Sequence, residues 1–376
     1  MAKTILGIDI GCDTLKLALV SGRHVKKSVV VPMPVGLFKE GRVVSTETMG
    51  ELLRKTMKEY GIHANYAAVT FPNDVAFIRT VTLPQMTHEQ LLTNLPYEFR
   101  DYISDELKNY YFDYAVIDNQ KILPDDEEEE EQSAPTYGFA QESPEQQKEE
   151  KPPKLAMELL AVAVPVSLMT ETREFLRKAG LRLVGAAPAV SSYISLIRAL
   201  PVRHGKVLLE TPDSAMLEPP TFRSDREYCI LDLGYRSVRM YIFRGDVHIV
   251  TKILEVGMST LDDVIAEAYN VDIHLAHTYL LTDYQGCQEN PVCINAYNNI
   301  ALELMRAVNF YKFSNRESVL TEVWLSGGGA NIAPLRKAVA GTLMMNVRSA
   351  LELVPGGDSV DNCDTLVQAI GIADVR

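Results

Sequence analysis

The sequence predicts an α/β protein in which one structural plan occurs twice. Apolar, strand-like runs flank a glycine turn near the start of the chain, over residues 4–10 and 15–20. The same order of strand, Asp-x-Gly turn and strand returns at residues 228–243. Segments with helical spacing of apolar residues, such as 46–60, occur in both halves. Strands interleaved with helices favour a mixed α/β fold, and so long a repeat indicates a duplicated domain.

The remaining elements follow from the period of the apolar residues and from turn and capping residues. The alternating run 76–83 is typical of a half-exposed strand, Thr87 is expected to cap a helix, and Pro188 is expected to open one. In the first half, further strands are predicted at 29–31, 67–71, 110–117, 157–164 and 181–186, and helices at 87–100, 167–178 and 188–200. In the second half, strands are predicted at 228–233, 238–243, 247–254 and 322–326, and helices at 259–269, 301–313 and from 331 onward.

The composition is that of a globular protein with an excess of acids. The 376 residues are 47% apolar and 23% charged, which is enough to bury a core. A net charge of −13, without a local basic patch, argues against nucleic-acid binding. Five scattered cysteines predict a reduced, intracellular protein. We expect no signal peptide, no membrane-spanning helix and no C-terminal amphipathic helix.

Two segments lack the pattern of ordered structure. Residues 124–154 contain eleven acids and almost nothing apolar to bury, so they are predicted to form a disordered loop. A solvated spacer between two strands is favoured there over a docking tail. Residues 201–226 are proline-containing and are predicted to be irregular.

Three glycine-containing motifs stand out from the rest of the chain. They are residues 9–16 (DIGCDTLK), residues 232–237 (DLGYRS) and residues 326–331 (SGGGAN). Each alone is common in purely structural turns. Their order and spacing together favour a site for a nucleoside triphosphate.

The residue types in these motifs suit that ligand. Tight glycine turns let backbone N–H groups approach phosphates closely. Lys16 can supply a counter-charge, whereas Asp9 and Asp232, each at the end of a strand, suit Mg²⁺, which prefers carboxylate oxygens and water. The third motif is expected to place its glycines at the start of a helix, where the backbone can approach a ribose or base.

The three motifs resemble the phosphate-1, phosphate-2 and adenosine motifs of the actin-like ATPase superfamily. Within it, the chain resembles the PilM family of type IV pilus assembly proteins, which is related to the FtsA family. Residues 79–86 (RTVTLPQM) and 95–103 (LPYEFRDYI) also resemble a strand and a helix of this group. The resemblance extends over nearly the whole chain apart from 124–154 and 201–226.

The resemblance implies a two-lobed actin-like ATPase fold, which is a pair of duplicated ribonuclease-H-like domains with the nucleotide between them. A strand-helix-strand-strand subdomain would be inserted in the first lobe. The implied boundaries are 1–72 and 166–200 for the first lobe (subdomain 1A), 73–165 for the inserted subdomain 1C, 201–226 for the connector and 227–376 for the second lobe.

The resemblance also implies ATP and Mg²⁺ as ligands, with Asp9 and Asp232 holding the metal partly through water. The nucleotide-binding residues would be Asp9, Gly11, Cys12, Asp13, Thr14, Lys16, Asp232, Gly234, Tyr235, Arg236, Ser237, Gly257, Gly327, Gly328, Gly329 and Asn331.

Several positions depart from the family pattern. Cys12 and Asp13 replace small hydroxyl residues, bulky residues occupy 235–236, and Met258 replaces a glycine. The expected helix opening at 186–189 (AAPA) has no acid or amide that could orient an attacking water. We therefore expect nucleotide binding with weak or absent hydrolysis.

The resemblance further implies a partner. In this family the N-terminal cytoplasmic peptide of PilN, a membrane protein that crosses the bilayer once, binds near the inserted subdomain. Tyr97, Glu98 and Tyr102 are our candidates for that surface. The chain would then be cytoplasmic and held at the inner face of the cell membrane by a PilN-like partner. Self-association stays open.

Other interpretations carry less support. An FtsA-like polymerising ATPase and a small-molecule kinase of the same superfamily are the alternatives. His274 and His277 are interpreted as polar residues of an exposed helix, because the following Cys287 and Cys293 lack the usual zinc spacing. The acids at 262–263 are interpreted as helix-capping residues after Ser259, and Cys12 mainly as a small filler residue.

Overall fold

The computed structural model describes residues 3–22, 24–122, 155–200, 226–355 and 363–374. The predicted acidic loop 124–154 lies outside the described residues, as does the predicted connector 201–226 except for its last residue. The chain forms two compact units. One comprises Met1–Ala76 and Pro165–Arg376, and the other Phe77–Val164.

Strands and helices alternate along the described chain. The strands are β1 (Thr4–Ile10), β2 (Thr14–Ser21), β3 (His24–Pro32), β4 (Phe38–Lys39), β5 (Arg42–Val43), β6 (Tyr66–Phe71), β7 (Phe77–Pro84), β8 (Tyr110–Ile122), β9 (Leu155–Pro165), β10 (Arg182–Pro188), β11 (Glu227–Leu233), β12 (Val238–Arg244), β13 (Val247–Leu254), β14 (Glu322–Ser326) and β15 (Asn346–Ser349). The helices are α1 (Thr46–Glu59), α2 (His88–Glu98), α3 (Val166–Lys178), α4 (Ala189–Ala199), α5 (Ser259–Tyr269), α6 (Ile273–Thr282), α7 (Pro291–Ser314), α8 (Ala333–Leu343) and α9 (Cys363–Asp374).

The larger unit contains two sheets of the same topology. The first has the order β10-β6-β1-β2-β3, and the second the order β13-β12-β11-β14-β15. In each, an antiparallel hairpin is followed by parallel strands: β1 pairs with β2 and with β6, and β11 pairs with β12 and with β14. The predicted duplication is therefore confirmed, and each sheet is the centre of one lobe.

Each sheet has its own apolar core. In the first lobe, α1 packs against α3, and residues such as Leu53 and Phe175 join strand residues such as Ile8. In the second, α5, α7 and α8 contribute to a core that includes Leu231 and Ile300. Burying one such Leu or Ile side chain stabilises the fold by about 1.5–3 kcal/mol. The two cores keep the hairpins, and therefore their glycine turns, fixed within each lobe.

Helices α4 and α9 link the lobes, and glycines allow their close contact. Helix α9 packs on α4 and on β1, β2 and β6, and it also contacts β14 of the second sheet. A Cβ atom at Gly7 would overlap the carbonyl oxygen of Ala369, and one at Gly371 would overlap that of Ser192. Only glycine at these two positions lets the backbones meet, which holds α9 closely against β1 and α4.

The smaller unit is the inserted strand-helix-strand-strand subdomain. Its sheet has the order β7-β9-β8, and α2 supplies Leu91 and Leu95 to its core together with Phe99. Helix α2 begins where predicted: Thr87 accepts a hydrogen bond from the backbone of Gln90, whose side chain accepts one from the backbone of Thr87.

Three predicted helix boundaries were wrong. The helix predicted from residue 331 onward is α8, which starts at Ala333, because residues 328–331 form a single 3₁₀ turn. Ser259 is the first residue of α5 and not its cap, since Met258 occupies the cap position without a side-chain hydrogen bond. Helix α7 begins at Pro291, ten residues before the predicted start, and Asn290 caps it.

Candidate functional site

The first turn, residues 11–13 between β1 and β2, lies beside a largely buried ion pair. The backbone N–H of Gly11 donates to the carbonyl oxygen of Thr14 over 2.9 Å and closes the turn. A Cβ atom at Gly11 would lie 3.1 Å from the Lys16 ammonium, so glycine leaves room for that cation. Lys16 is opposite Asp9 in the hairpin register, and its Nζ lies 2.9 Å from the Asp9 carboxylate.

The second turn, residues 234–237 between β11 and β12, is shaped by two glycines. A Cβ atom at Gly234 would lie 2.7 Å from the carbonyl oxygen of Ser237. Gly257 is buried directly against this turn, where a Cβ would overlap backbone atoms of Tyr235 and Arg236. The side chain of Arg236 is exposed. The second turn therefore depends on two close backbone approaches that only glycine permits.

Asp232, at the end of β11, joins a buried hydrogen-bond chain. Its Oδ2 accepts a 2.9 Å hydrogen bond from the side-chain amide of Gln368 on α9, which also donates to the Tyr193 hydroxyl over 3.0 Å. Tyr193 donates in turn to Ser326 over 3.2 Å. Arg239 lies opposite Asp232 in the hairpin register. Residues of α4, α9 and the second sheet thus fix the carboxylate of Asp232.

The acids of the two hairpins belong to one electrostatic site. Burial raises the pKa of Asp232, the charges of Arg239 and Lys16 lower it, and the charge of Asp9 raises it. Burial lowers the pKa of the Lys16 ammonium. The charges of Asp9, Asp232 and Cys12, together with the hydrogen bond to Asp9, have the larger effect and raise this pKa overall. Lys16 of the first lobe therefore stays charged between two carboxylates, one from each lobe.

The third motif lies against the second hairpin. Gly327 has a φ of 86°, a left-handed conformation that favours glycine, and a Cβ there would lie 2.5 Å from the Asp232 carboxylate. Gly329 is buried, and its Cβ would lie 2.5 Å from the sulfur of Met258. Gly328 is exposed, with nothing within 4 Å of its Cβ position. Met258, which departs from the family pattern, thus fills the space beside Gly329.

The side chain of Asn331 is hydrogen-bonded to another part of the chain. Its side-chain amide donates to the hydroxyl of Thr365 on α9 over 2.7 Å. Gly327 is also tied to this part of the chain, because its N–H donates to the carbonyl oxygen of Asp364 over 2.9 Å. Two residues of the third motif therefore connect it to α9.

One residue near both turns was missed as a site residue by sequence reasoning. His277, on α6, is half-buried, and its Nδ1 lies 2.9 Å from the carboxylate of Asp262. Its Nε2 lies 3.4 Å from the carboxylate of Asp13 in the first turn. The ring of Tyr235, in the second turn, meets the imidazole edge-on at a centroid distance of 5.5 Å.

These contacts correct two interpretations of the sequence. Asp262 does not cap α5: its side chain is fully buried and hydrogen-bonded to His277, whereas Asp263 is exposed. His277 is not a solvated residue of an exposed helix, although His274 is exposed as expected. A three-residue spacing on a helix shows which side chains share a face, but not what that face contacts.

The acids predicted to hold a metal ion, Asp9 and Asp232, lie near the ends of β1 and β11. Within the described ranges, no group of three or more His, Cys, Asp or Glu side chains is arranged to hold a metal ion. One or two carboxylates are the protein ligands that Mg²⁺ usually takes, and water and phosphate oxygens complete its shell. Cys12 and Thr14 of the first hairpin are both half-buried, and the Cys12 thiol is free.

The residues expected to bind a partner lie in the smaller unit. Tyr97 and Tyr102 are 59% and 54% exposed, which is high for side chains of this size. The guanidinium of Arg79 lies 3.7 Å from the ring centre of Tyr102, and that of Arg100 lies 5.3 Å from that of Tyr97. Arg79 also donates to the backbone carbonyl of Glu98.

Comparisons with known proteins bear on the family and the fold of the chain. The family model of the type IV pilus assembly protein PilM matches residues 7–131 and 215–351. Among curated protein sequences, none matches the chain. A PilM–PilN type IV pilus biogenesis complex contains a similar structure, with a TM-score of 0.71 and 19% identity over 99% of this chain and 98% of that one. The ethanolamine utilization protein EutJ of Carboxydothermus hydrogenoformans is also similar, with a TM-score of 0.54 and 12% identity over 100% and 90%.

The duplicated sheets, the mirrored hairpins and these similar structures define a two-lobed protein with the actin-like ATPase fold. The chain belongs to the PilM family of type IV pilus assembly proteins, since the family model matches well over half of it. No helix within the described residues is both long enough and apolar enough to cross a bilayer.

Proposed function

We propose that this chain binds Mg-ATP between its lobes and acts as a switchable scaffold of the pilus assembly platform. One observation carries the proposal: Asp9 and Asp232, from mirrored hairpins, share an electrostatic site with the cation Lys16. Such an arrangement suits a polyphosphate that needs a counter-charge and a metal at the same place. ATP would close the cleft and shift the population of conformations that bind a partner.

Each part of the site has a role in this proposal. Lys16 would pair with phosphate oxygens, and backbone N–H groups of both turns would donate to them. Asp9 and Asp232 would hold Mg²⁺, partly through water, and the metal would neutralise phosphate charge. The glycines at 327–329 would flank the adenosine, with Gly328 at the open side.

Binding without efficient hydrolysis fits the start of α4. This helix has no acid in its first turn, and Pro188 occupies its cap position without a side-chain hydrogen bond. The first turn of the helix itself therefore contributes no acid that could orient a water molecule toward a phosphate. We expect single-turnover ATP hydrolysis to be slow or absent. A substantial rate that is lost in Asp232→Ala would contradict this expectation.

A titration with a fluorescent ATP analogue tests nucleotide binding. The wild-type chain should bind it in the presence of Mg²⁺ and more weakly with EDTA. Asp232→Asn should weaken binding by at least about tenfold, since it removes one charged ligand worth about 1.5–3 kcal/mol. The matched control Asp263→Asn, an exposed acid of the same lobe, should bind like the wild type. Absent binding, or equal affinity in Asp232→Asn, would refute the proposal.

The partner would be the N-terminal cytoplasmic segment of a PilN-like membrane protein. Support comes from the similarity to a PilM–PilN complex over nearly the whole of both chains. The two exposed tyrosines at 97 and 102 offer large, rigid contact surfaces of the kind enriched at binding sites. Through this partner the chain would be held at the inner face of the cell membrane.

A peptide titration tests this part separately. A synthetic peptide with the N-terminal sequence of the candidate partner should bind the full chain. The double variant Tyr97→Ala/Tyr102→Ala should weaken that binding by about tenfold or more. Tyr60→Ala, which removes an exposed tyrosine of the other unit, is the matched control and should have no effect. Saturating ATP analogue should change the peptide affinity, whereas independence of the two ligands would exclude a switch.

A further inference from the structure

His277 connects the two lobes through the turns of both hairpins. It lies on α6 of the second lobe, and its Nε2 is 3.4 Å from Asp13 of the first turn. Its other ring nitrogen is hydrogen-bonded to Asp262 on α5 over 2.9 Å, and the ring of Tyr235 packs edge-on against it from the second turn. One imidazole thus contacts three other elements, and one of them belongs to the opposite lobe.

The partners of His277 favour its charged form. A neutral imidazole donates from only one nitrogen, whereas the imidazolium donates from both, so two facing carboxylates select the doubly protonated ring. The hydrogen bond to Asp262 raises the pKa of His277, burial lowers it, and the charge of Asp13 raises it again. The phenol of Tyr235 faces the ring from the second turn. Asp262 is fully buried, so the ring is held in place from the second lobe.

Asp13 faces several charges besides His277. Burial raises the pKa of Asp13, the imidazolium lowers it, the charge of Asp262 raises it, and that of Lys16 lowers it. Burial, a hydrogen bond with Asp262 and the charges of Asp262, Asp13 and Cys12 raise the pKa of the neighbouring Tyr235 phenol, so it stays neutral. Asp13 is the one acid of the first turn, residues 11–13. Without a counter-charge it would repel an incoming phosphate.

We propose that His277 is an inter-lobe clamp that neutralises Asp13 and so makes the first turn compatible with a polyphosphate ligand. The part that concerns the ligand rests on the proposed function, whereas the clamp itself does not. Loss of the proton from His277 leaves Asp13 without its facing imidazolium and removes this one contact between the lobes. Nucleotide affinity should therefore fall as the pH rises through the pKa of His277.

The sign of the effect follows from linkage. The pKa of His277 is raised in the folded chain above its ordinary value of 6.5. Its contribution to lobe contact is complete below that ordinary value and is lost as the pH rises through the raised one. The nucleotide-free chain should therefore hold this contact at pH values below 6.5 and release it as the pH rises through the raised pKa of His277.

A titration of the nucleotide-free full chain by NMR tests the clamp alone. Ring signals of His277 are assigned by their loss in His277→Gln and followed between pH 5 and pH 9. The pKa of His277 should fall in Asp13→Asn because the facing carboxylate is gone. Asp263→Asn, the exposed neighbour of Asp262, is the control and should leave the pKa of His277 unchanged. An equal pKa in wild type and Asp13→Asn would overturn the clamp.

Binding of the fluorescent ATP analogue with Mg²⁺ at pH 6 and pH 8.5 tests the link to the ligand. Wild type should bind about two- to fivefold more weakly at pH 8.5, the effect of one solvated ion pair. Asp13→Asn should bind equally at both values. The same pH dependence in Asp13→Asn would overturn the proposal. Absence of binding at every pH would refute the proposed function and, with it, the proposed effect of His277 on nucleotide affinity. The NMR titration would still test whether His277 pairs with Asp13.

Discussion

The two central hairpins share one plan but distribute their charges differently. In each, an acid ends the first strand and a cation lies opposite it in the register: Asp9 with Lys16, and Asp232 with Arg239. In the first hairpin these two groups form a direct 2.9 Å ion pair.

In the second hairpin the acid and the cation have different partners. Asp232 accepts a hydrogen bond from the neutral amide of Gln368, and Arg239 reaches Asp74 of the first lobe at 3.5 Å. The strand acid of the first hairpin is therefore paired within that hairpin, while the strand acid of the second is held by another element. The two hairpins have the same strand register beside their turns, but the charged groups at corresponding positions have different partners.

The largest expected effect on stability comes from breaking the Asp9–Lys16 ion pair of the first hairpin. Lys16→Met leaves the buried carboxylate of Asp9 without its partner, so the chain should lose about 3–5 kcal/mol of unfolding free energy. Arg239→Met should cost less, about 1–2 kcal/mol, because its ion-pair partner Asp74 is 44% exposed and the buried Asp232 keeps its hydrogen bond from Gln368. Urea unfolding at neutral pH measures both. The double variant Asp9→Asn/Lys16→Met should recover most of the loss, and equal costs for the two single variants would break the comparison.

The two turns should differ in their need for glycine. A Cβ at Gly234 meets the fixed backbone oxygen of Ser237 at 2.7 Å, whereas at Gly11 the 3.1 Å contacts include the mobile end of Lys16. Gly234→Ala should therefore cost about 1–3 kcal/mol and Gly11→Ala about 1 kcal/mol or less. Thermal unfolding compares them, with Gly328→Ala as a control that should leave the stability unchanged. A larger cost for Gly11→Ala would reverse the ranking.

The two hairpins also differ at the residue that begins their first strand. Strand β1 begins with Thr4, whereas β11 begins with the buried acid Glu227, which accepts hydrogen bonds from the Tyr311 hydroxyl over 2.9 Å and from the Ser318 hydroxyl over 2.5 Å. Burial alone would raise the pKa of Glu227, but the bonds from Ser318, Tyr311 and Arg244 outweigh it and lower the pKa.

The charged carboxylate of Glu227 therefore stabilises the fold fully at pH values above its ordinary pKa of 4.5. This stabilisation is lost as the pH falls through the lowered pKa that Glu227 has in the folded chain. Glu227→Gln should cost about 1–2 kcal/mol at pH 7 and less as the pH falls below 4.5. Urea unfolding of the wild type and of Glu227→Gln at a series of pH values measures the difference in their unfolding free energies. A cost that does not change with pH would show that the charge of Glu227 has no part in it.

The sequence was sufficient for features that depend on local pattern. The hairpin strands follow from apolar runs around Asp-x-Gly turns, and the duplication follows from the recurrence of that pattern. Asp9 and Asp232 could be singled out because each comes at a strand end directly before such a turn.

Contacts between distant parts of the chain could not be predicted in this way. Gln368 reaches Asp232 from α9, 136 residues further along the chain, and no local signal marks it. Asp262 resembled a helix-capping residue by position, but its burial opposite His277 depends on how α5 and α6 pack. Side-chain partners of this kind are set by tertiary packing, which periodicity does not encode.

A crystal structure of the full chain grown with Mg²⁺ and a non-hydrolysable ATP analogue tests the central claim most directly. We predict that one triphosphate contacts backbone N–H groups of both turns, with the metal between the carboxylates of Asp9 and Asp232. A nucleotide bound elsewhere, or one that contacts a single hairpin only, would contradict the account.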